Sequence, residues 1–130
     1  MSLVWWMRIV GALYLLLSIT VVVLRLPIRV EGPKGLLSQA RAGDATARYV
    51  VDTWFMLGLY FLVIGTTLLV FSDDPAAAPA LVWAVLGFEL AGIVVDIYKL
   101  QRGYDRKAPI TRLVIHSVII ASGLYLIGGS

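Results

Sequence analysis

Leu81-Val82-Trp83-Ala84-Val85-Leu86-Gly87-Phe88-Glu89-Leu90-Ala91-Gly92-Ile93-Val94-Val95-Asp96-Ile97-Tyr98-Lys99 reads as one membrane-crossing helix. Its apolar run approaches the roughly 20 residues needed to cross a hydrocarbon core of about 30 Å. Two carboxylates interrupt it, Glu89 and Asp96, seven positions apart. Seven residues is close to two helical turns, so both acids share one side of the helix. Glu89 falls near the bilayer midplane, with Asp96 about 10 Å nearer one end at about 1.5 Å per residue. Carboxylates at membrane depth are costly and face a bundle interior, a partner or a cavity. Val85 and Gly92 share the acidic side. Ala84, Gly87 and Ala91 form a small-residue strip nearly opposite, where another backbone can come close.

Three further apolar stretches surround this one, giving spans over about 5–24, 50–71, 80–100 and 110–127. Arg25 and the Leu26–Pro27 step end the first, because a residue before proline is pushed out of the helical region. Gly32-Pro33-Lys34-Gly35 is a turn signal, and Leu36 to Arg41 reads as one or two interfacial helical turns. Asp44 is the expected N-cap of the second span. Ser72-Asp73-Asp74-Pro75 is a short acidic turn. Asp74 with Pro75 suits a cap and first helical position for the third span, with Pro79 as the alternative start. The opening lacks a basic leader region and its apolar run is long enough to span, so it reads as a retained first helix. The expected fold is an all-α membrane protein, a four-transmembrane-helix bundle forming one domain over residues 1–130.

Composition agrees. The chain is 60% hydrophobic with a mean hydropathy of +0.90, against roughly 45–50% apolar residues in soluble domains. The absence of cysteine excludes thiol nucleophiles, disulfide exchange, iron–sulfur clusters and thiolate zinc sites. His116 is the single histidine, so one chain cannot clamp a haem between two histidines or build a three-histidine metal site. No metal, cofactor or catalytic residue is expected, and neither nucleophile motif nor phosphate loop names a reaction. Arginine outnumbers lysine, eight to three, beside abundant Ala, Val and Gly, a mix compatible with a GC-rich bacterium.

Charge sets the expected orientation. With four spans, the loops at about 25–49 and 101–109 lie on one side. That side holds Arg25, Arg29, Lys34, Arg41, Arg48, Lys99, Arg102, Arg106, Lys107 and Arg112, against Arg8 alone on the other. The positive-inside rule puts those loops in the cytoplasm and both termini outside, in a bacterial cytoplasmic (inner) membrane. The net charge of +3 is therefore read as topogenic charge meeting anionic lipid head groups, without a nucleic-acid partner.

The polar residues at membrane depth are the candidate ligand or partner contacts: Glu89, Asp96, His116, Arg8, Tyr14 and Tyr60. Asp96 and His116 lie at similar depth from the same end of their helices, so a carboxylate–imidazole pair is expected if the two are antiparallel neighbours. Asp96 can instead pair with Lys99, and Asp52 with Arg48 one turn earlier or with interfacial water. His116 can simply hydrogen-bond a neighbouring helix. Arg8 either snorkels outward or stretches inward towards Glu89. Glu89 has no cation within one turn of its own helix, so protonation, another helix, a ligand or a partner chain must neutralise it. Trp5, Trp6, Trp54 and Trp83 lie towards span ends, as interfacial anchors do.

Several runs resemble the BphX-like family of small bacterial four-helix membrane proteins, named from a member in a biphenyl-degradation gene cluster. They are Trp5-Trp6-Met7-Arg8-Ile9-Val10-Gly11-Ala12-Leu13-Tyr14, Val51-Asp52-Thr53-Trp54-Phe55-Met56-Leu57-Gly58, and Leu81 to Glu89 continuing through Gly92 to Tyr98. The likeness runs from the first helix to the third loop. It transfers no catalytic residues, and implies by association an uptake or handling of apolar molecules. Three functions are then expected. The first is an accessory subunit of a larger membrane complex, for uptake or handling of lipids or other hydrophobic compounds. The second is a stand-alone intramembrane lipid or small-molecule binder lined by Glu89, Asp96, Tyr14 and Tyr60. The third is a proton- or cation-coupled transport homo-oligomer using Glu89 and Asp96. An enzyme is not expected.

Overall fold

The computed structural model describes residues 2–30, 34–103 and 107–129, and every regular element among them is helical. These elements are α1 (Leu3–Val22), α2 (Leu26–Val30), α3 (Leu36–Ala42), α4 (Ala45–Val70), α5 (Ala78–Gln101) and α6 (Lys107–Gly128). By length and hydropathy α1, α4, α5 and α6 can each cross a membrane. They coincide with the four expected spans, and α4, α5 and α6 begin a few residues earlier because a helix continues past its apolar part into the interface. Gly32 and Pro33 of the expected turn, and Arg106 of the basic loop, lie outside the described residues.

Local chemistry explains most boundaries. The Asp44 carboxylate accepts the Ala47 N–H at 2.7 Å, satisfying one of the orphan donors that open α4. Asp74 accepts from the Ala76 and Ala77 N–H groups at 2.9 and 3.3 Å. Its carboxylate organises a turn, and α5 begins only at Ala78 with Pro79 in its first turn, the alternative start. Arg25 adopts φ 52 after the end of α1, and α2 follows directly with Pro27 in its first turn. The expected ending of α1 by the Leu26–Pro27 step is thus corrected, because α1 has already stopped at Val22. Leu26, the residue before proline, is itself helical, so this proline sits in the first turn of a new short helix instead of closing the long one. The expected interfacial turns are α3, closed by Gly43 at φ 102.

Two compact units make up the chain: residues 1–10 with 70–130, and residues 11–69. In the first, α5 and α6 pack antiparallel, with Asp96 meeting Arg112 and Leu86 meeting Gly123. The start of α1 joins them through Trp6, which is 1% exposed and donates its indole N–H to Ser122 Oγ at 2.9 Å. A Cβ on Gly123 would sit 2.9 Å from Leu86 and 3.0 Å from the Trp6 ring, so the glycine sets that spacing. Trp6 is thus a core residue and not an interfacial anchor, whereas Trp5 and Trp83 stay exposed.

In the second unit the rest of α1 runs antiparallel to α4. Gly11 faces Gly65, where a Cβ on Gly65 would come 2.8 Å from the Gly11 carbonyl oxygen, and Gly58 faces Val21 and Val22. Such small-residue contacts let transmembrane backbones approach where no hydrophobic drive exists between lipid-immersed helices. Ile28, Leu36 and Ala47 form a small core under Trp54, holding α2 and α3 against the start of α4.

Candidate functional site

The polar cluster lies between α5 and α6 in the first unit. Glu89 and Asp96 are both almost fully buried, as their shared face on α5 implies. His116 from α6 enters between them. Its Nδ1 is in hydrogen-bond contact with Glu89 Oε2, and its Nε2 is 3.6 Å from Asp96 Oδ2. Gly92 makes this possible, being one turn from each acid. A Cβ there would lie 2.5 Å from the imidazole Cε1, closer than atoms pack. The ring therefore occupies the space a side chain would take.

Arg112 completes the described set. It precedes His116 by one turn of α6, on the same face. Its Nε donates to both Asp96 oxygens at 3.0 and 3.2 Å, and Nη2 lies 2.9 Å from Oδ1. This forked geometry is the strong form of arginine–carboxylate pairing. The two carboxylates of α5 therefore face the two ring nitrogens of one imidazole. No buried side-chain nitrogen or oxygen among the described residues lacks a hydrogen-bond partner.

Each expected site residue now has a position. The Asp96–His116 pairing is present, and of the alternatives open to Glu89 the structure brings in another helix, through His116. For three residues the structure decides between the alternatives. Asp96 takes Arg112 as its close cation instead of Lys99, because the antiparallel helix brings a fork to both oxygens while Lys99 lies on the Asp96 helix itself. Arg8 takes the outward of its two expected courses and does not reach Glu89. Its Nη2 binds Asp73 at 2.7 Å, its Nε donates to Ser72 Oγ at 3.3 Å, and its guanidinium sits 5.4 Å from the Trp5 ring centre. A cation near a helix end loses less hydration by turning to the acidic turn. Arg48 donates to the Ala40 carbonyl oxygen at 3.0 Å, closing α3 onto α4, instead of pairing with Asp52.

Tyr14 and Tyr60 belong to the second unit. Tyr14 is buried with its ring 5.6 Å from that of Phe61, and Tyr60 stands exposed. The strip Ala84, Gly87 and Ala91 is exposed along its length, and a Cβ on Gly87 would meet nothing within 4 Å. Within the chain, close approach to α5 uses Gly92 instead. Arg112 is the site residue that sequence reasoning missed, and Gly92, placed there on the acidic side, was given no role in making room for the imidazole. Arg112 counted there only as topogenic charge, although its one-turn spacing from His116 put both on one face.

A model of the BphX-like family matches residues 1–128. The chain belongs to the BphX-like family. No curated protein and no solved structure matches it. In this BphX-like chain the cluster draws Glu89, Gly92 and Asp96 from the α5 run that carries the family resemblance. Arg112 and His116 come from α6, outside all the runs quoted for it. Among the described residues no group of three or more His, Asp or Glu side chains is arranged to hold a metal ion, and what the cluster offers chemically is two carboxylates and an imidazole in a short line, fixed by a guanidinium.

Proposed function

We propose that this BphX-like chain is an accessory subunit of a larger membrane complex, one that takes up or handles lipids or other hydrophobic compounds. The observation that carries the reading is the free face of α5. Ala80, Ala84, Gly87, Ala91, Val94 and Tyr98 alternate at spacings of four and three residues, and all are exposed. That alternation is the packing register of one helix along another, and small side chains in it favour close helix association in lipid. The opposite face of α5 is held to α6 by the Glu89, His116, Asp96 and Arg112 cluster, which keeps the free face on a fixed support. We assign the basic loops to the cytoplasm of a bacterium and the termini to the outside, from the distribution of arginine and lysine.

Purification of the tagged protein in mild detergent from its native membrane should bring down larger subunits in fixed ratio. Gly87→Leu should abolish that co-purification while leaving the chain folded. Recovery of the chain alone, or retention of the same subunits by the Gly87→Leu variant, would sink the reading. A cysteine placed at Ala84 that cross-links to a second copy would point to a homo-oligomer instead.

The titratable line Glu89–His116–Asp96 supports a second reading, a proton-coupled transport oligomer or an intramembrane binder using Glu89. Reconstituted vesicles should then show pH-driven flux, or retain an apolar ligand, in a manner lost with Glu89→Gln. Wild-type vesicles without flux or bound ligand would remove it.

A further inference from the structure

Inside the second unit a cleft opens where α1 gives way to α2, lined by Val21, Val22, Arg25, Ile28, Asp52 and Phe55. It joins apolar side chains to one cation and one anion. Arg25 and Asp52 share the lining, yet neither side chain forms a hydrogen bond or ion pair among the described residues. Arg25 is also the single non-glycine residue among them with a left-handed backbone, at φ 52. Glycine takes that conformation freely and arginine takes it at a cost. Strained positions of this kind cluster at ligand clamps.

The cleft lies at the end of the α1 span and the start of the apolar part of α4, with Tyr49 and Trp54 on the same turns of α4. Aromatic residues of this sort mark head-group depth. An anionic head group or free phosphate would satisfy Arg25 and be repelled by Asp52. A simple amine would do the reverse. A phosphodiester with a primary ammonium two carbons away satisfies both, and its acyl chains can follow Val21, Val22 and Phe55. A quaternary ammonium lacks the N–H groups that Asp52 can accept. We propose that this cleft is a head-group site for a zwitterionic phospholipid of the ethanolamine type, with its phosphate on Arg25 and its ammonium on Asp52.

The test is lipid retention by the full chain in native mass spectrometry, using phosphatidylethanolamine, phosphatidylglycerol and phosphatidylcholine of matched acyl chains. Wild type should retain the ethanolamine lipid about threefold better than either other, the worth of one exposed ion pair. Asp52→Asn should lower retention of the ethanolamine lipid and raise that of the glycerol lipid, reversing the preference. Arg25→Gly should weaken retention of both, while its thermal midpoint in lipid-free detergent stays level or rises because the backbone strain is relieved. Equal wild-type retention of the ethanolamine and glycerol lipids, or an unchanged preference in Asp52→Asn, would overturn the site. So would full retention by Arg25→Gly, or displacement of the lipid by an equal concentration of soluble phosphoethanolamine.

Discussion

Arg112 and Gly92 are small entries in the sequence with large consequences in the packed helices. Asp96 is almost fully buried and takes a forked pair of bonds from Arg112. Removing the guanidinium leaves a buried carboxylate short of its close cation, which costs about 3 kcal/mol when such pairs are broken from one side. Arg112→Ala should therefore destabilise the chain by about that amount in a detergent unfolding titration, and Asp96→Asn should recover much of the loss. Additive losses in that double-mutant cycle would show the pair to be energetically idle. Gly92→Ala inserts a methyl where the His116 ring lies, and overpacking of this sort costs about 1–3 kcal/mol. The same unfolding titration reads it, and a midpoint equal to wild type would contradict the described packing. Glu89 shows how far one sequence reaches at this scale. Its burial and its need of a partner from elsewhere are legible in α5 alone. That the partner is His116 is not, because the contact depends on the antiparallel register of α6.

Elements were more legible than contacts. The lengths and apolar runs of α1, α4, α5 and α6 follow from hydropathy, and the Asp44 cap from one side chain before an apolar run. The short α2 was not readable, since its five residues carry a proline whose role at a helix start or stop depends on the Arg25 backbone. Glycines divide in the same way. Gly58 and Gly87 look alike in sequence, each inside an apolar helix. Yet a Cβ on Gly58 would lie 2.5 Å from Val22, and one on Gly87 would meet nothing. Gly58→Ala should cost about 1–3 kcal/mol in the isolated protein, whereas Gly87→Ala should change it by less than about 0.5 kcal/mol. Thermal unfolding of the purified chain compares them directly. A matching loss at both positions would mean that the α5 face is covered within the chain after all.

At the scale of the whole molecule, the membrane class and the family were both readable from patterns spread over most of the chain, and a family model over residues 1–128 agrees. Activity was not, because the runs that carry the resemblance hold no reacting group whose partners also lie within them. The cluster spans two helices, and this has a consequence for synthesis. Glu89 and Asp96 emerge from the ribosome with α5, before the Arg112 and His116 that pair with them exist. At that moment α5 must enter the lipid with both acids unmatched, and a charged residue at the centre of a helix opposes insertion by about 2.5–3.5 kcal/mol. A chain stopped after Gln101 should therefore integrate α5 less completely than the full chain, as read by glycosylation mapping in microsomes. Glu89→Gln with Asp96→Asn in the shortened chain should restore it. Equal integration of all three would mean that α5 enters unaided; otherwise α5 and α6 must be delivered to the bilayer as a pair, and the cell has to keep the third helix waiting for the fourth.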